Sequence, residues 1–167
     1  MKNKSTLFLT QAAVIAAVYV VLTVVFAPFS FKEIQVRLSE ALTILPLFTP
    51  AAIPGLFVGC LLGNVLGGAV IWDTIFGSIA TLIGAVGTFL LRKKSLYLAP
   101  VPPIVSNTVI VPFVLKYAYQ VPLPIPLMML TVGVGEVISC GVLGVLLGKL
   151  LKKHEGAIFG ERSGDIE

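Results

Sequence analysis

Long stretches of this chain carry no charged residue, among them 5–31, 41–72, 74–91 and 137–148. About 20 apolar residues in a helix span the hydrocarbon of a bilayer, which is about 30 Å thick. With 57% hydrophobic and 12% charged residues in 167, the chain has room for six such passes and little else. The expectation is an all-α integral membrane protein in which residues 1–151 form one six-helix membrane domain. Residues 152–167 then form a polar cytoplasmic tail. The first apolar run, 7–27, is too long for the apolar core of a secretory signal and lacks a clean cleavage site, so it reads as a real span.

Prolines, glycines and charges punctuate the passes. A first helix over 5–27 stops at Pro28, and 29–36 reads as an interfacial loop. A second helix over 37–48 turns at Thr49-Pro50 into a third over 51–66, which Gly67-Gly68 breaks. Both are short and marked by Pro46 and Pro54, which membrane helices tolerate where neighbours cover the freed backbone groups. A fourth runs over 72–91 into Arg92-Lys93-Lys94. A fifth, over 99–117, has Pro112 inside, where a kink is expected. A proline-rich link at 122–126 leads to a sixth over 127–151.

Basic residues fix the expected orientation. Six passes gather Lys2, Lys4, Arg92, Lys93, Lys94, Lys149, Lys152 and Lys153 on one side, against Lys32, Arg37 and Lys116 on the other. By the positive-inside rule both termini face the cytoplasm. Because each basic cluster abuts an apolar run, topology marking is preferred to nucleic-acid binding. Cys60 and Cys140 lie within apolar runs and read as small buried residues, with neither a disulfide nor a metal site expected.

Against this background the few polar residues at membrane depth stand out, since carboxylates there are costly and tend to serve binding or transport. Glu136, flanked by Gly133 and Gly135, and Asn107 fall near the middles of the sixth and fifth helices and are expected to face one outward-opening cavity. Asp73 either binds solute or caps the fourth helix. Trp72 is either an interfacial anchor or a platform for a flat ring. Arg37 and Glu40, three apart, either pair with each other or join the site, and Asn64 is equally open. Glu136 has a structural alternative as partner of Arg37 or Lys116, and Asn107 as a helix-bridging amide. In the first helix, Ala12, Ala13, Ala16 and Ala17 form small-residue stripes at a spacing of four, which on residues alone favour packing within the chain. There is no GxxxxGK[ST] phosphate loop, no HExxH and no GxSxG, and the one histidine, His154, lies in the tail. No cofactor is called for, and the chain reads as non-enzymatic.

Several segments resemble one family. They are Val36-Arg37-Leu38-Ser39-Glu40-Ala41-Leu42, Leu45-Pro46-Leu47-Phe48-Thr49-Pro50, Gly55-Leu56-Phe57-Val58-Gly59-Cys60, Asn64, and Asp73-Thr74-Ile75-Phe76-Gly77-Ser78-Ile79-Ala80-Thr81-Leu82. Together they resemble the QueT family, substrate-binding S components of energy-coupling factor (ECF) transporters associated with queuosine precursors. The resemblance implies a six-helix S-component fold in the bacterial plasma membrane. It also implies partners, a transmembrane coupling (T) subunit and two ABC ATPases. The implied ligand is an aminomethyl deazaguanine base, for which Glu136, Asp73, Glu40 and Asn107 supply acceptors while Trp72 stacks; which group meets which is left open. It further implies that Ala12, Ala13, Ala16 and Ala17 form the docking face for the T subunit. An S component for another vitamin or nucleobase is the nearest alternative, and a membrane enzyme or structural subunit the more distant one.

Overall fold

The computed structural model describes residues 4–26 and 36–154, together with 156 and 158. Among them are six helices and no strand. They are α1 (Lys4–Val25), α2 (Leu38–Leu47), α3 (Ala52–Leu66), α4 (Ile71–Leu90), α5 (Val101–Tyr117) and α6 (Ile125–Lys153). The expected 29–36 loop and most of the expected tail lie outside the described residues.

Three helices, α1, α4 and α6, are long and apolar enough to cross a membrane. The others are shorter. α3 covers roughly 22 Å and α5 roughly 25 Å at 1.5 Å per residue. α2 and α3 are short, as their spacing implied, and α5 is short as well, which leaves three long and three short helices.

Two helices depart from α geometry. α2 is a 3-10 helix for all ten of its residues, where runs beyond three or four are uncommon. At about 2.0 Å per residue it covers roughly 20 Å, and its side chains at i and i+3 eclipse. Residues 39–47 are all buried, so α2 is a pillar enclosed by α1, α3, α4 and α6. Within α6, Val137–Leu143 is π-helical, a rare geometry found mostly at functional sites. It packs directly on α2.

α1 and α3 pack closely along their length. A Cβ added to Gly55 would stand 2.7 Å from the Ala12 carbonyl oxygen, and one on Gly59 would stand 2.8 Å from Tyr19 Cβ and 3.1 Å from Ala16 Cα. Without those Cβ atoms the backbones touch, as small residues at a spacing of four permit. This contact turns Tyr19 fully inward, where it joins Ile15, Leu56 and Cys60 in the main apolar cluster. α3 ends before Gly68, whose φ of +79° makes the turn into α4.

Candidate functional site

The eclipsed row of the 3-10 helix builds the site. Glu40 and Thr43 stand three apart on one row of α2, and Arg37, in extended backbone just before it, precedes them by three. Between them they reach four helices: Arg37 meets Asp73 on α4, Glu40 meets residues of α1, α4 and α5, and Thr43 meets Cys140 on α6. In an α-helix Glu40 and Thr43 would fan around the axis.

At one end lie two carboxylates. Glu40 is 1% exposed. Its Oε1 accepts from the Tyr19 hydroxyl, with the Thr81 hydroxyl 3.4 Å away, and its Oε2 accepts from Asn107 Nδ2 at 3.4 Å. Glu136 Oε2 lies 3.1 Å from Cys140 Sγ, and Asn107 is also within hydrogen-bonding reach of Glu136. The thiol sits 3.5 Å from the Glu40 carbonyl oxygen and 3.4 Å from Thr43 Oγ1. Ligating atoms of Glu40, Glu136 and Cys140 lie within 4.8 Å of one another, close enough to contact one small cation together. Neither glutamate forms an ion pair among the described residues.

At the other end Asp73 Oδ2 faces Arg37 Nη2 at 3.4 Å and accepts from the Tyr119 hydroxyl at 3.0 Å. Asn64 Nδ2 donates to the Asp73 carbonyl oxygen at 3.4 Å. Tyr119, half-buried in the α5–α6 connection, also accepts from Val70 N–H at 3.3 Å. Burial, then the Asp73 carboxylate, pushes its hydroxyl up to about 12, so it stays a donor at neutral pH. A chain of contacts links the two ends: Thr81 Oγ1 is 3.4 Å from Cys60 Sγ, and Asn64 Nδ2 is 3.6 Å from the same sulfur.

The structure therefore brings Glu40, Glu136 and Asn107 together, as it does Arg37, Asp73 and Asn64. It decides several alternatives. Arg37 pairs across to Asp73 instead of along its own helix to Glu40. α4 begins after Val70 with no side-chain cap, so Asp73 is not its cap. Lys116 Nζ bonds the Leu123 carbonyl oxygen at 3.2 Å, away from Glu136. Asn107 bridges helices, and it does so through the glutamates. Cys60 and Cys140 are buried free thiols, and both touch the polar network.

Trp72 stands apart. It is 56% exposed, stacks on Phe76 with ring centroids 6.1 Å apart, and lines an open apolar groove of about 480 Å³ with Val109, Phe113 and Tyr117. The alanine stripes also divide. Ala12 and Ala16 are buried against α3, whereas Ala13 and Ala17 are exposed. The packing role that residues alone suggested holds for the first pair, and the expected docking role for Ala12 and Ala16 is corrected accordingly.

Tyr19, Thr81, Cys140 and Tyr119 are site residues that sequence reasoning missed. A single hydroxyl or thiol in an apolar helix gives no signal of which way it points.

Apolar helices enclosing a charged, hydrogen-bonded interior define an all-α membrane protein. The particular family follows from comparison: a sequence model of the QueT transporter family matches residues 9–153, and the chain belongs to that family. A relative from Lactococcus lactis subsp. cremoris, described as queuosine precursor transporter QueT, is 34% identical over 86 residues, half of each chain. No solved structure matches.

Proposed function

We propose that this chain is the substrate-binding S component of an ECF-type importer for a queuosine precursor, an aminomethyl deazaguanine base or a close relative. The reading places it in the bacterial plasma membrane as a multi-pass protein with both termini in the cytoplasm. Burial of Arg37 against Asp73 removes it from the outer basic count and sharpens the charge asymmetry behind that orientation. A T subunit and two ABC ATPases supply the energy, consistent with a sequence that has no phosphate-binding loop of its own. The relative's printed name and the resemblance support the ligand class.

The observation that carries the reading is the Glu40–Glu136 pair. Two enclosed carboxylates, held by neutral donors, form an anionic socket at membrane depth. An ammonium entering it meets two acceptor groups at once, each bond strengthened by charge. A primary aminomethyl group on a flat base has that chemistry.

Calorimetry on the purified chain tests it. The aminomethyl deazaguanine should bind, and an otherwise identical base with a methyl in place of the aminomethyl should bind much more weakly. Equal binding of the two, or tighter binding of an unrelated vitamin, would remove the socket from the recognition scheme. The energy-coupling half has a separate test. Ala17→Trp on the exposed face of α1 should leave binding intact and abolish ATP-driven uptake, while unimpaired uptake would exclude that face as the T-subunit contact. Ala16→Trp is unsuitable, because it strikes α3 within the same chain.

A further inference from the structure

Basic residues gather at one end of the helices. α4 runs out into Arg92, Lys93 and Lys94, and the end of α6 carries Lys149, Lys152 and Lys153; all are exposed. The fold joins these two groups, which lie far apart in sequence. The connection between α4 and α5 rests against α6 at Gly148, where an added Cβ would stand 2.7 Å from Leu96 Cδ1. One residue further along each segment, Lys149 Nζ stands 5.3 Å from the centroid of the Tyr97 ring.

Two features set this surface apart from an ordinary solvated face. The first is its lack of counter-charge. The described acids are Glu40, Asp73 and Glu136, and all of them are buried. The basic groups therefore form no ion pair among the described residues. The second is that apolar side chains lie between the charges. Leu90, Tyr97, Leu98 and Leu150 are exposed, and the Arg92 guanidinium lies over the Phe89 ring at 3.9 Å from its centroid. Long basic side chains that cover apolar surface while their heads reach outward suit the boundary between acyl chains and headgroups.

Charge and position together name the partner. α4 and α6 are both long and apolar enough to cross a membrane, so their basic ends fall where the hydrocarbon stops. Anionic headgroups at that level attract every Lys or Arg near the surface. A soluble polyanion would match the charge but leave the exposed leucines in water. We infer that Arg92, Lys93, Lys94, Lys149, Lys152 and Lys153 form a docking surface for anionic phospholipid headgroups, with Leu90, Leu98 and Leu150 set against the acyl chains. None of these residues belongs to the Glu40 or Asp73 clusters, so the inference does not rest on the ligand reading above.

The test uses the full-length chain in non-ionic detergent micelles that hold phosphatidylglycerol and phosphatidylcholine in equal amounts. The protein is captured and washed, and the lipids retained on it are counted by mass spectrometry. Phosphatidylglycerol should be retained in excess, and the excess should vanish at about 1 M salt, where the screening length falls to about 3 Å. Arg92→Gln, Lys93→Gln and Lys94→Gln made together should lower the affinity for phosphatidylglycerol roughly a hundred-fold, at about fivefold per residue. The same loss is expected when Lys149, Lys152 and Lys153 are all replaced by Gln, whereas Arg at those three positions should preserve retention. A thermal melt confirms that each variant is folded. Equal retention of the two lipids by the parent would overturn the inference, and so would undiminished retention of phosphatidylglycerol by either glutamine triple. The chain also carries its own acidic alternative in Glu155, Glu161, Asp165 and Glu167. If phosphatidylglycerol is retained only after those four are replaced by their amides, that segment is the partner of the basic surface and the lipid assignment fails.

Discussion

At the Asp73 end of the site a carboxylate meets a guanidinium at 3.4 Å and a phenol at 3.0 Å. At the Glu40 end two carboxylates and a thiol crowd within 4.8 Å, held by a tyrosine, an asparagine and hydroxyls that carry no charge. The first arrangement compensates its charge with a residue of its own chain, and the second leaves a counter-charge to be supplied. The difference separates two uses of a buried acid. An ion pair already made ties the start of α2 to α4, and breaking it removes the carboxylate that faces a buried guanidinium. Two buried acids side by side oppose each other's ionisation, and a cation placed between them relieves that opposition. That contrast, more than the number of carboxylates, is why the proposed function makes the Glu40–Glu136 end the receiving end for a charged group.

The largest expected effect breaks the anchored end. Asp73→Ala leaves the Arg37 guanidinium enclosed without the Asp73 carboxylate, and removing one partner of a buried pair costs about 3–5 kcal/mol. A large drop in the thermal midpoint of the purified protein, or failure to accumulate, is the expected outcome. Glu136→Gln should do the reverse. It removes one of two like charges, so the midpoint of the empty protein should hold or rise. Affinity for the aminomethyl base should fall by about 1.5–3 kcal/mol, roughly ten- to a hundred-fold. If Glu136→Gln unfolds the protein and Asp73→Ala leaves it intact, the assignment of anchor and receptor must be exchanged.

Much of the fold was legible because lipid and prolines punctuate this chain strongly. α4 and α5 begin and end within two residues of expectation, and the approach of Asn107 to Glu136 followed from their matching positions in adjacent helices. What sequence could not give was rotation. A soluble helix shows its inner face by a polar outer one, but on α1 both lipid and interior accept apolar residues. Tyr19 therefore carried no mark of facing Glu40, nor Trp72 of facing outward. The direction of α1 was encoded instead in Gly55 and Gly59, which admit its backbone on one side only. Helix type was hidden as well. α2 and the π segment of α6 are irregular because they pack against each other around the buried acids, a tertiary effect that local propensity does not carry. The alignment of Glu40 and Thr43 on one row, and with it much of the layout of the site, depends on that irregularity.

The smallest expected effect sharpens the same contrast. Tyr119→Phe keeps the ring and removes one hydroxyl, which donates to Asp73 Oδ2 and accepts from Val70 N–H. The ion pair survives, so the loss should be that of a net hydrogen bond, about 0.5–1.5 kcal/mol, well below that of Asp73→Ala. Its pH dependence is also set. Burial and the Asp73 carboxylate raise this phenol to about 12, above its ordinary value near 10. A group raised on folding contributes fully below its unfolded value, and the contribution fades as pH climbs through the folded one. The midpoint difference between parent and Tyr119→Phe should therefore stay constant between about pH 6 and 9. A difference that shrinks within that interval would mean that the phenol titrates there, and that Asp73 is held by Arg37 without help from Tyr119.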